Sequence, residues 1–353
     1  MPSTLEAGAA ADLVLSWYRR EGRDLPWRRE PRTPYRVLVA ETMLQQTRAE
    51  AVAPRFEAFL QRFPDLAALA AAPLDEVLRS WEGLGYYARA RNLHRLAGEL
   101  SVRGGEIPGG RADLLGLSGV GPYIASALRC FAFDIGDPPL DANLRRIALR
   151  VSGTPGAPLD AASATAAQEL FGAWFSHAPP AQLGDALMDL GARVCTARRP
   201  RCGACPLAGV CAAAGSGDPE AFGVRPPKAA PRLRRILAAQ LVSPGGQAWR
   251  PRPRAGLLGG LWEPPHVFGA EEAPSLEQLL AEVREWGIDG AAPQGSRWQL
   301  RHAFTHQVWE GEVVRLLVPA ARELSPPALW LDGKELANVA VPRAFRAVLG
   351  GGG

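Results

Sequence analysis

Four of the five cysteines in this chain lie in the segment 195–211, with the spacing C-x6-C-x2-C-x5-C. They are Cys195, Cys202, Cys205 and Cys211. In a chain expected to be intracellular, clustered cysteines favour a metal centre over disulfides. Structural zinc sites usually have two closely spaced cysteine pairs, whereas this segment has a single C-x2-C. The spacing therefore favours a 4Fe-4S cluster, with a four-thiolate zinc site as the alternative.

A second constraint is the stretch 117–146, LSGVGPYIASALRCFAFDIGDPPLDANLRR. Gly119 and Gly121 predict a tight turn, and Pro122 suits the first position of the helix that follows. The backbone N–H groups of such a turn point outward and suit a phosphate. A lone carboxylate, Asp141, comes just before the next helix. A phosphate-binding turn and a positioned carboxylate indicate chemistry on a nucleic acid, although Gly-Val-Gly also occurs as a plain turn.

Arginine is almost the only cation of the chain. The 353 residues have a formal net charge of +4 at pH 7, and the only lysines are Lys228 and Lys334. Arginine suits phosphate contacts, but the excess of positive charge is too small to establish a polyanionic partner. The length predicts two domains. No apolar run approaches a membrane span and no signal peptide is recognised, so we expect a cytoplasmic, nucleoid-associated protein with no membrane partner.

Helical periodicity extends over most of the chain up to residue 194. In the first helix we expect Leu13, Trp17 and Tyr18 to face the core, and we expect residues 25–29 to be extended. Helices are predicted at 7–22, 35–47, 50–63, 65–71, 73–82, 86–101, 124–131, 143–150 and 160–194.

Two features of this region leave alternatives open. Glu41 lies in an apolar run of the helix 35–47, so it is either on the solvent face or a half-buried acid with a raised pKa. The turn WEGLGYY at 81–87 places apolar and aromatic side chains beside glycines. Those side chains either pack in the core or form a wedge that enters a base stack.

The composition changes in the segment 213–230, where glycine, proline and small residues predict a linker. Beyond the linker, apolar and β-branched runs alternate with helical patterns, which predicts an α+β domain. Its strands are predicted at 236–242, 299–304 and 308–318, and its helices at 275–286 and 342–349.

These motifs together resemble the endonuclease III superfamily of DNA glycosylases and, within it, the A/G-specific adenine DNA glycosylases (the MutY family). The resemblance implies an all-α helix-hairpin-helix glycosylase domain with a 4Fe-4S cluster loop at 1–212, a linker at 213–230, and an α+β Nudix-like domain at 231–350. The motifs are LPWR (25–28), ETMLQQT (41–47), WEGLGYYARARNL (81–93), LSGVGPY (117–123), LDANLRR (140–146), ALMDLGA (186–192) and the four cysteines.

The resemblance also assigns roles to individual residues. Asp141 matches the catalytic aspartate, Glu41 the catalytic glutamate, and Asn143 an asparagine that assists near the sugar. Tyr123 stands where bifunctional glycosylase/lyases carry a Schiff-base lysine, and residues 1–227 contain no lysine at all. The resemblance also implies that Arg23, Trp27 and Asp185 line the adenine pocket, the last in place of Glu or Gln, and that Gln46 and Tyr86 fill the base stack. We expect Leu84 to help fill the stack, and Gly119 and Gly121 to bind a DNA phosphate.

In the C-terminal domain, the run 256–263 resembles the Nudix-like domain that ends this family of glycosylases. A Nudix hydrolase needs a series of glutamates on one helix to hold Mg²⁺, and the stretch 280–287 has too few. We therefore expect recognition rather than hydrolysis. Phe304, Thr305 and His306 match the family loop that senses 8-oxoguanine.

The function implied is monofunctional removal of adenine opposite 8-oxoguanine or guanine in double-stranded DNA. The enzyme is expected to flip the adenosine out of the duplex, to carry a 4Fe-4S cluster and to act as a monomer. One alternative is an endonuclease III-like glycosylase/lyase, which Tyr123 disfavours. The other is a non-enzymatic iron–sulfur protein that binds DNA, which the pair of Glu41 and Asp141 disfavours.

Overall fold

The computed structural model describes residues 7–223, 230–269, 272–319 and 323–350. Its contacts divide the chain into a helical unit, Met1–Ala71 with Asn92–Pro227, and a mixed unit, Ala72–Arg91 with Lys228–Gly353. The sequence placed the segment 72–91 in the first domain, whereas its contacts place it in the mixed unit. The domain limits inferred from the sequence, at 212 and 231, remain predictions.

The helical unit is built from α-helices and short 3-10 turns, in agreement with the fold class expected from the sequence. The helix α6 begins in the segment of the mixed unit and continues into the helical unit. The helices up to residue 215 are α1 Ala7–Glu21, α2 Pro34–Leu44, α3 Ala49–Arg62, α4 Leu66–Ala71, α5 Leu74–Ser80, α6 Ala88–Val102, α7 Arg111–Leu115, α8 Pro122–Phe131, α9 Ala142–Ser152, α10 Ala161–Phe175, α11 Pro180–Arg193 and α12 Ala212–Gly215.

The helix α2 lies in the core of this unit, and every residue from Val37 to Met43 is buried. It begins at Pro34, and the side chain of Thr33 caps it by accepting a hydrogen bond from the Arg36 backbone N–H. It contacts α3 and α8, while α11 contacts α1, α8 and α9. These contacts bring the predicted motifs of α2, α8, α9 and α11 together.

Three local expectations for this unit were wrong or incomplete. Leu13 is 42% exposed, because it lies at the edge of the buried stripe of α1 rather than at its centre, which Val14 occupies. Residues 26–28 form a 3-10 turn rather than an extended segment, with Pro26 at its first position. Within the predicted linker 213–230, short helical turns extend to residue 221, and residues 224–229 lie outside the described residues.

The mixed unit has a twisted sheet in which β1 and β7 pair in parallel, from Arg232 opposite Gln307 to Val242 opposite Leu317. On its other side β1 pairs antiparallel with β2 and β4, and β7 pairs antiparallel with β5 and β6. The strands are β1 Arg232–Ser243, β2 Gly246–Pro251, β3 Trp262–Glu263, β4 His266–Gly269, β5 Ala292–Pro293, β6 Trp298–Ala303, β7 Gln307–Leu317 and β8 Leu329–Leu331; the helices are α13 Leu276–Glu285, α14 Gly333–Ala337 and α15 Arg346–Leu349.

The strand β1 has a core on both of its faces because successive side chains point in opposite directions. Leu237 and Leu241 pack with Val283 of α13 on one face, and Ile236 packs with Phe345 on the other. This arrangement explains the long apolar run that predicted the strand. None of the helices in the described part of the chain is long and apolar enough to cross a membrane.

Candidate functional site

A carboxylic acid and a tyrosine face each other inside the helical unit. Glu41 lies near the end of α2, and Tyr123 lies in the first turn of α8. The Tyr123 hydroxyl donates a hydrogen bond of 2.7 Å to Oε2 of Glu41. Glu41 is only 6% exposed, so of the two readings left open by the sequence, the structure has the buried acid.

Burial raises the pKa of Glu41 to about 7, because the ionised carboxylate would lose its hydration. The hydrogen bond from Tyr123 lowers this pKa, whereas the negative charges of Asp185 and Asp141 raise it further. Glu41 can therefore gain or lose a proton near neutral pH, as a general acid or base must.

The second carboxylate, Asp141, is the N-cap of α9. Its Oδ1 accepts 2.8 Å hydrogen bonds from the backbone N–H groups of Asn143 and Leu144, and its Oδ2 accepts one of 2.8 Å from the Asn143 amide. Burial raises the pKa of Asp141, and these N–H donors act against that rise by favouring the ionised form. Capping alone is a structural role, but here the carboxylate also lies within electrostatic range of Glu41.

Two arginines of α9 connect this region with the cysteine segment. Arg146 donates to Oδ1 of Asn143 at 3.0 Å and to the carbonyl of Cys195 at 2.9 Å. Arg150, one turn later, is 1% exposed and lies with its Nη1 atom 3.4 Å from Sγ of Cys195. The other acceptors of the Arg150 guanidinium are the carbonyls of Thr196, Ala197 and Phe222.

All four clustered cysteines line one cavity together with Arg150. In the described residues Arg150 forms no ion pair with a carboxylate, so its buried charge lies beside Sγ of Cys195 and lines the cysteine cavity without an acidic partner. That arrangement fits an anionic, thiolate-bound iron–sulfur group. The described residues nowhere gather three Cys, His, Asp or Glu side chains in closed metal-ligand geometry, so the shared cavity is what unites the four cysteines.

The turn before α8 has one glycine that its conformation requires and one that it does not. Gly119 has φ +80°, and a Cβ there would lie 3.0 Å from Cβ of Asn92. Gly121 has φ −90° and open space around it. Ser118 holds the turn by donating its hydroxyl to Glu99. The turn leaves the first N–H groups of α8 at its tip, where Pro122 begins the helix.

The three positions expected to line an adenine pocket lie close together, but two of them have charged partners. Arg23 forms a 2.8 Å ion pair with Asp189 through Nη2 and accompanying hydrogen bonds through its backbone N–H and Nε. Asp185 pairs with Arg28 at 3.0 Å and with Arg32. Trp27 is buried against Phe56, with ring centroids 5.9 Å apart.

Two predicted stack-filling residues have left-handed backbones. Gln46 is exposed with φ 58°, and Tyr86 is 40% exposed with φ 48°. Such strain in non-glycine residues often accompanies function. Leu84 is buried, and Arg89 donates hydrogen bonds of 3.1 Å to its carbonyl and to that of Gly85.

In the mixed unit, Phe304, Thr305 and His306 form the turn between β6 and β7. Thr305 and His306 are exposed, and the Thr305 hydroxyl is hydrogen-bonded to that of Tyr86. Phe304 packs on Trp309 with ring centroids 4.7 Å apart. The turn lines a cavity of about 500 Å³ with residues 83–88 and 256–259.

Two buried or half-buried glutamates at α13 have arginine partners. Glu282 accepts a 2.9 Å hydrogen bond from the Trp286 indole and pairs with Arg250 at 3.2 Å. Glu263 is buried and pairs with Arg250 and Arg252. Among the residues described in this unit, no three potential ligands form a metal site.

Sequence reasoning did not single out Asp189, Arg146 or Arg150. The spacing of like charges could have identified them. Asp185 and Asp189 are four residues apart on α11, and so are Arg146 and Arg150 on α9. Residues at that spacing share a helix face, and a repeated charge on an otherwise buried face requires partners.

Three family models match the chain. Residues 39–173 match the HhH-GPD superfamily of base excision DNA repair proteins, and residues 238–350 match the NUDIX domain. Residues 195–211 match the iron-sulfur binding domain of endonuclease III. The last match spans the four clustered cysteines and identifies the cofactor as a 4Fe-4S cluster rather than zinc.

Curated relatives are similar over most of the chain. The adenine DNA glycosylase of Homo sapiens is 34% identical over 411 aligned residues, which cover 97% of this chain and 74% of that protein. The adenine DNA glycosylase of Mycolicibacterium smegmatis is 43% identical over 201 residues, which cover 55% of this chain and 66% of that protein.

Solved structures agree with the helical fold. A thermostable thymine-DNA glycosylase superposes with a TM-score of 0.54 and 26% identity, covering 61% of this chain and 100% of that one. A non-covalent endonuclease III–DNA complex superposes with a TM-score of 0.51 and 21% identity, covering 62% of this chain and 99% of the other, which supports the fold alone.

Proposed function

Because this chain belongs to the adenine DNA glycosylase family, a group of base excision repair enzymes that act on N-glycosyl bonds, we propose that it removes adenine mispaired with 8-oxoguanine or guanine. The observation that carries this proposal is the buried Glu41, which is hydrogen-bonded to Tyr123 and lies within electrostatic range of Asp141, the N-cap of α9. Glycosidic bond cleavage needs such a pair, one protonated acid and one ionised carboxylate.

In the proposed mechanism, Glu41 donates its proton to N7 of adenine as the bond between C1′ and N9 breaks. This step makes adenine a better leaving group and gives the sugar oxocarbenium character. Asp141, which Asn143 and the start of α9 hold in place, stabilises that charge or captures C1′ covalently. Glu41, now ionised, accepts a proton from the water that attacks C1′.

The adenosine must leave the duplex before this chemistry, at a cost of a few kcal/mol. We assign Gln46, Tyr86 and Leu84 to the gap left in the base stack, and Trp27 with Arg23 and Asp185 to the base pocket. Both Arg23 and Asp185 have charged partners, so we assign them the role of shaping this pocket through ion pairs rather than contacting the base. Gly119 and Gly121 present backbone N–H groups to a DNA phosphate.

The mixed unit is proposed to read the opposite base. The support is the exposed turn at Thr305 and His306, which lies beside a cavity of about 500 Å³ together with Tyr86. Phe304 provides a stacking surface, and the two polar side chains provide hydrogen bonds to 8-oxoguanine. Cys195, Cys202, Cys205 and Cys211 would hold the 4Fe-4S cluster, which when bound would supply an iron–sulfur core around which the loop 195–211 folds. The protein is proposed to act as a monomer.

The decisive experiment uses a duplex with one 8-oxoguanine:A pair, labelled on the strand that carries A, and reads cleavage with and without hot alkali. Cleavage only after alkali is expected, because residues 1–227 have no lysine to form a Schiff base. Cleavage without alkali would refute the monofunctional mechanism. A protein that binds the duplex but gives no product in either case would refute the enzymatic proposal.

A further inference from the structure

A cavity of about 470 Å³ lies behind the tyrosine of the candidate site, within the helical unit. It begins at Pro122 and Tyr123, directly after the proposed phosphate-binding turn, and it reaches Leu140, the residue before Asp141. Its polar lining includes two arginines, Arg111 and Arg145, and a single acid, Glu169. None of the roles proposed above uses this cavity.

The two arginines differ in their partners. Arg111 donates to Ser126 at 2.9 Å and pairs with Asp137 at 2.6 Å, so its charge is neutralised. The Arg145 side chain has no hydrogen bond or ion pair with any described residue, and its Nε atom is shielded from solvent without an acceptor. Leaving a buried donor unsatisfied costs about 1–3 kcal/mol. The guanidinium of Arg145 is therefore open to a ligand that enters the cavity.

The position of Arg145 limits what that ligand is. It lies one turn after Asp141, whose carbonyl accepts its backbone N–H at 3.0 Å. Glu169 lines the same cavity but does not pair with it, so the guanidinium stays available to an anion. A duplex that places a nucleotide at Asp141 also brings backbone phosphates close to the cavity at Arg145, because B-DNA carries one charge per about 1.7 Å of its axis.

We propose that Arg145 binds a backbone phosphate of the DNA next to the nucleotide on which Asp141 acts. This contact is separate from the Gly119–Gly121 turn, because neither glycine lines the cavity that Arg145 shares with Tyr123. Arginine is suited to this task because its planar guanidinium presents paired donors to phosphate oxygens. The inference rests on the proposed function only in that it takes DNA as the bound substrate.

The test is the salt dependence of DNA binding by the full-length protein with its cluster. The probe is a duplex with 8-oxoguanine opposite 2′-fluoro-deoxyadenosine, whose fluorine disfavours an oxocarbenium ion and so prevents turnover. Affinity is measured by fluorescence anisotropy between about 50 and 200 mM KCl. Arg145→Gln is expected to reduce the slope of log K against log salt by about 0.9, so that wild type loses about 3.5-fold more affinity over this range.

Two further variants make the result specific. Arg145→Lys keeps the charge and is expected to keep the wild-type slope. Arg284→Gln removes an exposed arginine from α13 of the mixed unit and is also expected to leave the slope unchanged. Equal slopes for Arg145→Gln and wild type, or an equal reduction in Arg284→Gln, would overturn the inference. Failure of wild type to release adenine from a cleavable duplex would refute the proposed function instead, and it leaves this binding comparison intact.

Discussion

Replacing Tyr123 with Phe should move the alkaline limb of the pH–rate profile for adenine excision. The Tyr123 hydroxyl donates to Oε2 of Glu41 at 2.7 Å and thereby favours the ionised carboxylate. Burial has already raised the Glu41 pKa to about 7, so the wild-type rate should fall as pH rises through about 7 and the acid loses its proton. Removing the donor takes away stabilisation of the ionised form alone.

The size of the shift follows from the strength of that hydrogen bond. A buried hydrogen bond to a charged group contributes about 1.5–3 kcal/mol, and 1.36 kcal/mol corresponds to one pKa unit. Tyr123→Phe should therefore raise the pKa of Glu41 by about 1 to 2 units and extend activity to about pH 8–9.

The assay is single-turnover excision from an 8-oxoguanine:A duplex at saturating enzyme, measured across the pH range for wild type and variant. The pH at which the alkaline limb falls is determined independently of the plateau rate. The plateau rate also depends on how Glu41 is aligned with the adenine. Tyr35→Phe is the matched control: Tyr35 is a buried tyrosine on α2 whose hydroxyl donates to the carbonyl of Phe63. An unmoved or lowered limb in Tyr123→Phe, or the same shift in Tyr35→Phe, would show that this hydrogen bond does not set the Glu41 pKa.

Four further outcomes test other parts of the structure. Asp141→Asn should abolish excision in the gel assay and keep duplex affinity, and full activity in that variant would remove it from the mechanism. Gly119→Ala should lower the stability by about 1–3 kcal/mol in thermal unfolding and weaken DNA binding, because its φ is +80°, while Gly121→Ala at φ −90° should be tolerated; equal losses would contradict this. Asp189→Asn leaves the buried Arg28 and the half-buried Arg23 without their charge partner and should cost about 3 kcal/mol, seen as a lowered melting temperature. Arg150→Met should reduce the iron content per chain, and an unchanged iron content would exclude a role in holding the cluster.

The sequence determined the class of each part of the chain because local patterns carry that information. The spacing of Cys195, Cys202, Cys205 and Cys211 favoured an iron–sulfur site, and the match of residues 195–211 to an iron-sulfur binding domain confirmed the cofactor. Helical periodicity and the apolar run of β1 predicted the two fold classes, which follow from side-chain spacing along one element. The limits of individual elements were less certain, as the 3-10 turn at 26–28 shows.

The tertiary structure decided which neighbours each group has. Spacing within α2 could not settle whether Glu41 was exposed, because the hydroxyl that contacts it belongs to α8, more than 80 residues along the chain. The ion pairs of Asp189 and Asp185 join α11 to the segment around Arg23 and Arg28 in the same way. Desolvation and charge act through space rather than along the chain, so the pKa of Glu41 and the unpaired guanidinium of Arg145 became visible only when the helices were assembled.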